Sequence, residues 1–308
     1  MKSKIKILIV GGTGFIGFHL INYCLKKNWK VVSFSKNPPK KVRFSNKVKY
    51  IKGDISKKTD LKKIKGKFDY VVNLGGYVDH TNKIKTFNSH FKGCKNLSNF
   101  FLNKGIKTFV QMGSSGEYGR LKSPHQETSL GNPQSVYSKA KFYATNYLLK
   151  LYVKKKFPVV ILRLYQAYGP RQDTNRLIPI VINSCLKGEK FPCSDGKQFR
   201  DFIHVKDVVN AIVKSLKNKK ALGQIINIGS AKPKKVKNLI NFLVKTIKNG
   251  KPMFGKIKLR KDEMLKIYPK ISKAKKTLNW YPKINFIRGL DETIKYYKKL
   301  DYFDNKIL

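Results

Sequence analysis

The sequence predicts a doubly wound α/β fold, a parallel sheet with helices on both faces. Three observations carry that expectation. A short β-rich apolar run, Ile5–Val10, ends in a glycine turn; an amphipathic helix pattern opens from that turn; and strand and helix patterns then alternate as far as Tyr165. Parallel strands need helical crossovers, which are right-handed and cover both faces of the sheet, so such strands read as continuous apolar runs.

The elements follow in order. Ile5–Val10 has the length and β-branching of a strand buried on both faces, and Phe15, Ile16, His19, Leu20 and Tyr23 recur behind it at helical spacing. Lys30–Ser35 is the second expected strand, and Val48–Ile51 the third, ending in Gly53-Asp54. Phe68–Leu74 and Thr108–Met112 read as the fourth and fifth, with a helical stretch from Lys85 to Asn103 between them. A helix from Ser135 to Lys154 leads to a sixth buried strand, Pro158–Tyr165.

Beyond Tyr165 the rhythm loosens. Helices are expected at Leu177–Lys187, Val205–Lys217, Lys235–Lys248 and Phe286–Lys299, with a short strand at Gln224–Ile228. No repeat or low-complexity linker intervenes. The expected division is a dinucleotide-binding domain, residues 1–165, and a smaller, mostly helical substrate domain, residues 166–308, some segments of which return to the first. Ligands of such folds lie at the carboxyl ends of the strands, in the cleft between the two parts.

A chain of 308 residues, 41% hydrophobic and 12% aromatic, can bury a sizeable core. No apolar run approaches the roughly 20 residues that a membrane span needs. Ile5–Val10 is too short for a signal peptide and runs straight into the turn, so a cytoplasmic protein is expected. Cys24, Cys94, Cys185 and Cys193 show neither CxxC pairing nor metal-ligand spacing, which suits a reducing compartment and predicts no metal site.

The formal net charge is +50, from 67 basic and 17 acidic residues. Such a field attracts nucleic acid and phosphate-bearing molecules alike. Yet 59 of the basic residues are lysine and eight are arginine, and they spread over the whole chain without forming a stripe. Arginine is the side chain suited to bidentate phosphate recognition, so the charge reads as a solvated lysine surface. An RNA-binding protein built on a dehydrogenase scaffold is the alternative from a different class.

The glycine turn Gly11-Gly-Thr-Gly-Phe-Ile-Gly17 follows a strand and opens a helix, the context that makes a glycine triplet informative. Gly11 permits the tight turn, Gly14 lets the backbone approach a pyrophosphate, and Gly17 allows close helix–strand packing. The helix N-terminus brings unpaired N–H groups and partial positive charge to the phosphates. Gly11, Thr13, Gly14, Phe15, Ile16 and Gly17 are therefore the expected pyrophosphate cradle. An NAD site usually ends its second strand in an acid for the ribose 2′-hydroxyl. Here Ser35 and Lys36 stand in that place, with Lys40, Lys41 and Arg43 behind, which favours NADP over NAD.

The GxxGxxG spacing, with Asn73-Leu-Gly-Gly76 after the fourth strand, resembles the extended short-chain dehydrogenase/reductase family of nucleotide-sugar epimerases, dehydratases and reductases, nearly end to end. The resemblance implies a Rossmann sheet and a homodimer. It also implies that Asp54 lies at the adenine and that Ile55, Leu74, Gly75 and Gly76 belong to the cofactor site.

Tyr137-Ser-Lys-Ala-Lys141 places a phenol and an ammonium one helical turn apart on one face. A nearby ammonium favours the phenolate and is expected to pull the Tyr137 pKa down toward neutrality. The pair lies between strands five and six, where the resembling family carries its catalytic tyrosine and lysine. That resemblance implies that Lys141 also holds the nicotinamide ribose. Aligned on Tyr118-Gly119, Ser114 falls on the family's catalytic Ser/Thr, with Ser115 the neighbouring candidate.

Arg163–Arg171 and Gly196–Asp207 look like the two substrate-side signatures of the same family. They imply a nucleotide-sugar substrate whose diphosphate is held by Arg200, with Gln166 in place of a usual asparagine. Arg260 is a second diphosphate candidate, although the Pro-Gly that usually follows is absent, and His204 reads as structural. Resembling 4,6-dehydratases carry an acid just after the Ser/Thr, where this chain has Ser115 and Gly116; Glu117 is one residue further and is expected to point elsewhere. The reading that follows is NADPH-dependent reduction of a 4-keto-6-deoxysugar. A 4-epimerase with retained NAD is the alternative, and a dehydratase is disfavoured.

Overall fold

A computed structural model describes residues 4–77, 82–259 and 263–304. The strands and helices of the first half are β1 (Lys6–Val10), α1 (Phe15–Lys26), β2 (Lys30–Ser35), β3 (Lys49–Lys52), α2 (Lys58–Leu61), β4 (Tyr70–Asn73), α3 (Lys83–Phe87), α4 (Gly93–Phe101), β5 (Thr108–Ser114), α5 (Val136–Lys155) and β6 (Val159–Leu164). The second half contributes β7 (Gln166–Tyr168), α6 (Leu177–Leu186), β8 (Lys190–Pro192), β9 (Phe199–Arg200), β10 (Phe202–His204), α7 (Val205–Leu216), β11 (Ile225–Ile228), β12 (Lys234–Lys235), α8 (Val236–Ile247), β13 (Lys251–Met253), β14 (Lys266–Ile267), α9 (Ser272–Leu278) and α10 (Phe286–Asp304).

Seven strands form one parallel sheet in the order β3-β2-β1-β4-β5-β6-β11. The period-2 alternation of a strand sorts its side chains between two cores. Ile7 and Ile9 of β1 face a layer with Leu20 of α1, Val208 and Ile212 of α7, and Trp280. Leu8 and Val10 face the opposite layer, with Leu97 and Phe101 of α4 and Leu148 of α5. The doubly wound expectation is met. The order reverses between β1 and β4, the switch point at which such sheets bind ligands.

A third core joins α6, α8 and α10 through Ile182, Leu243 and Leu290. This part is less purely helical than the sequence suggested. It also holds the small pairings β10-β7, β12-β9-β14 and β13-β8, too short to produce a periodic signal. The helical stretch expected over Lys85–Asn103 is divided into α3, a wide π-helical turn Asn88–Lys92, and α4. Two later segments return to the large sheet: β11 pairs with β6 in register Ile225 to Ile161, and α7 covers β1 and β5 beside α1.

Candidate active site

The glycine turn sits at the carboxyl end of β1. Gly11 has φ +77° and donates its N–H to the Phe34 carbonyl, while Gly14 N–H closes on the Gly11 carbonyl at 3.0 Å. A Cβ on Gly11 would stand 2.9 Å from the Leu74 carbonyl carbon, and one on Gly17 only 2.3 Å from the Gly11 oxygen. Both positions therefore need glycine. Gly14 caps α1 without a side chain, and the first turn of α1 carries no acidic residue. This bare, positively polarised helix end is a cradle for a diphosphate, so the residues fit a dinucleotide. The Phe15 ring meets His19 edge-on at 5.5 Å, Ile16 leans on the core, and the Thr13 N–H reaches Ser35 Oγ at 3.4 Å.

Beyond the end of β2, Lys36 pairs with Asp54 at 3.2 Å, and Asp54 also accepts the Ser56 N–H and hydroxyl. Burial raises the Asp54 carboxyl, but the Ser56 hydrogen bonds and the Lys36 ammonium outweigh it and hold it below its usual range. Ile55 is part of the core, against Gly75 and Gly93. Of the cations expected behind β2, Arg43 is turned inward: it is buried and bonds the Arg171 carbonyl and Asp173. Lys40 reaches the same Asp173, while Ser35 and Lys36 stand at the strand end. Leu74, Gly75 and Gly76 follow β4; Gly75 N–H is fixed by Asn73, and Gly76 lies so close to the His90 ring that a Cβ would fall 2.0 Å from it.

β5 ends at Ser114, which caps the turn Ser115–Tyr118 in a capping box. Its hydroxyl accepts the Gly116 N–H, and its own N–H donates to Glu117 Oε1 at 2.8 Å. Ser115 is half-buried in that turn. The Ser114 side chain bears on the Tyr137 phenol and favours its ionised form, and the His90 ring meets Tyr137 edge-on at 4.9 Å. Lys141, one turn along α5, is buried and donates from Nζ to the Met112 carbonyl at 2.7 Å.

Burial raises the Tyr137 pKa; Ser114 and Arg176 oppose this, while Glu117 adds to it. The expectation of a phenol drawn down by Lys141 is thus reversed, because desolvation dominates and the ammonium is engaged at Met112. Burial lowers Lys141, against the opposing pull of Glu117 and Cys94.

Glu117 does point away from the reacting position, as expected. It is fully buried among Ser114, Thr145 and Arg163.

On the substrate side, Gln166 is exposed on β7, its N–H bonded to the Asp201 carbonyl. Arg200 is buried, donates to the Phe199 carbonyl and forms an ion pair with Glu263. A diphosphate would have to share or displace that carboxylate. Arg260 lies outside the described residues. His204 caps α7 by accepting the Lys206 N–H, and burial lowers it to about 4, in keeping with a structural part. A cavity of about 900 Å³ lies apart from the catalytic set, lined by His204, Asp207, Lys232, Lys275, Tyr281 and Phe286 among others. Among the described residues no helix is long and apolar enough to cross a membrane.

His90, Arg176 and the Glu117–Arg163 pair were not singled out as site residues by sequence reasoning. Their signal is tertiary: none has a spacing that links it to the Tyr-Lys pair.

A parallel sheet with a bare helix end fit for a diphosphate at its switch point, and Ser114, Tyr137 and Lys141 beside it, has the architecture of a dinucleotide-binding fold. Residues 7–229 match the model of the NAD dependent epimerase/dehydratase family, and the chain belongs to that family. It is 32% identical over 253 residues to a dTDP-D-glucose 4,6-dehydratase of Dictyostelium discoideum, a match covering 73% of this chain and 58% of that protein. The UDP-glucose 4-epimerase of Thermotoga maritima, solved with UDP-glucose, superposes with a TM-score of 0.91 at 25% identity over 96% of this chain and 99% of that one. A dTDP-glucose 4,6-dehydratase of Bacillus anthracis in complex with NAD gives 0.84 at 25% identity, over 96% and 97% of the two chains.

Proposed function

We propose that this chain is an oxidoreductase of nucleotide-activated sugars that reduces a 4-keto-6-deoxysugar, drawing on NADPH. The observation that carries the reading is the grouping of Ser114 and Tyr137 with buried Lys141, one helical turn beyond Tyr137, while the carboxylate of Glu117 is bonded to Ser114 N–H, Thr145 and Arg163. A bound nicotinamide would supply hydride to the sugar carbonyl carbon. Tyr137, kept protonated at neutral pH by its raised pKa, gives its proton to the carbonyl oxygen. Ser114 orients and polarises that oxygen, and Lys141, held at the Met112 carbonyl, is placed to hold the nicotinamide ribose.

Elimination of water would need an acid or base at the C5–C6 side of the sugar. Ser115 and Gly116 supply none, and Glu117 is committed to three buried partners. The NADP preference rests on Ser35 and Lys36 at the end of β2, where a carboxylate would repel a 2′-phosphate. The second reading is a 4-epimerase with retained NAD, favoured by the near-complete superposition on the Thermotoga enzyme.

A panel of nucleotide sugars with NADPH and NADH, followed by nicotinamide absorbance, separates these readings. NADPH oxidation with a 4-keto-6-deoxysugar is expected; interconversion of 4-epimers without net oxidation would overturn the reductase. Tyr137→Phe should lower kcat at least ~100-fold while leaving cofactor affinity within about twofold, the range of lost acid–base catalysis. Retained turnover in that variant would remove Tyr137 from its role.

A further inference from the structure

We propose that Glu117 is a positioning residue: its buried carboxylate, paired with Arg163, joins Ser114 and the helix of Tyr137 and Lys141 into one rigid unit. The inference rests on the catalytic reading above and concerns a residue that reading leaves idle.

The carboxylate is the meeting point of three elements. Oε1 accepts the Ser114 N–H at the end of β5, at 2.8 Å. Oε2 accepts the Thr145 hydroxyl of α5 at 2.8 Å and the Arg163 Nε–H of β6 at 2.9 Å. Thr145 lies four residues beyond Lys141, one turn on the same face of α5, as Lys141 lies four beyond Tyr137. The serine and the tyrosine–lysine pair thus hang on opposite oxygens of one side chain. Gly113 makes room for it, since a Cβ there would stand 2.6 Å from Oε1. Arg163 is itself clamped, its guanidinium 4.5 Å above the Tyr118 ring.

A buried ion pair is a poor way to gain stability, because desolvation consumes most of the attraction and an apolar pair of like volume does as well. Of the 17 acids in this chain, Glu117 and Asp201 are 0% exposed among the described residues, and Glu117 accepts the N–H of Ser114 itself. Its charge reaches the reacting groups. Glu117 favours the ammonium of Lys141 against burial and favours the neutral phenol of Tyr137. Among the described residues, His90, Ser114 and Arg176 also bear on Tyr137, and Cys94 and the Met112 carbonyl on Lys141. A carboxylate serving only as mortar would not have to be charged. One that holds the proton on Tyr137 until it is needed would.

The test is Glu117→Gln in the full chain, which keeps the acceptor oxygen for Ser114 or Thr145 and removes the charge. With tyrosine labelled with ¹³C at Cζ, and the Tyr137 signal assigned by its loss in Tyr137→Phe, the titration midpoint of Tyr137 should fall by about one pH unit. The alkaline limb of kcat should move the same way, with kcat about tenfold lower and the cofactor Kd unchanged. The double variant Glu117→Gln/Arg163→Met strands no charge and should show the same displacement if the single variant folds poorly. An unmoved Tyr137 midpoint in whichever variant folds would overturn the proposal and leave Glu117 a packing residue. The resonance reads independently of turnover. Activity surviving in Tyr137→Phe would instead sink the catalytic reading, while the titration still judges Glu117.

Discussion

Ser35 ends β2 with its hydroxyl near Ser33 Oγ and the Thr13 N–H, where an NAD site usually carries an acid. Ser35→Asp would set a carboxylate against a 2′-phosphate and beside Asp54. NADPH affinity should fall ~10–100-fold, about 1.4–2.8 kcal/mol, with NADH affinity within about threefold. Fluorescence titration of the two reduced cofactors measures this, and equal losses for both would refute the assignment of Ser35 to the 2′-position. Residues such as Tyr137, Lys141, Gly11 and Gly17 were legible in the sequence because their chemistry depends on neighbours one to six positions away. Glu117 with Arg163, 46 residues apart, and Arg200 with Glu263, 63 apart, were not. Those pairs exist because the sheet and the small β9–β14 pairing bring distant segments together. The reversed shift of Tyr137 was invisible for the same reason, since burial is a property of the packed cleft and not of a YxxxK spacing.

Between β1 and α1 the chain has one geometry available. A Cβ on Gly17 would lie 2.3 Å from the Gly11 oxygen and 2.6 Å from Gly12 Cα, all backbone that cannot step aside. Gly17→Ala should therefore push α1 off the sheet, lowering stability by about 1–3 kcal/mol and cofactor affinity by at least ~10-fold. Thermal unfolding and cofactor titration would show both. A variant with native affinity would mean that the helix end does not hold the diphosphate. Elements of this kind, long and strongly periodic, are the ones the sequence shows well. The seven strands of the large sheet and helices α1, α5, α6, α7, α8 and α10 were all foreseen to within a few residues. What stayed hidden has little periodicity to display: the two- and three-residue strands β7 to β10 and β12 to β14, the short helices α2 and α9, and the π turn at Asn88–Lys92.

At the scale of the whole molecule, the later half completes the earlier one. β11 covers the edge of β6, where Ile161 and Leu162 are 0% and 1% exposed, and α7 seals the layer over Ile7, Ile9 and Val110. A fragment of residues 1–165 would carry an open apolar edge and half a covered face, and it should elute as aggregate in size-exclusion chromatography. A monodisperse fragment with cooperative unfolding would contradict this. Synthesis proceeds from the amino end, so β1 to β6 leave the ribosome well before residues 225–228 exist. For that interval the nascent chain carries a sticky flank that its own sequence cannot yet protect, and a slower passage through the intervening codons would prolong its exposure.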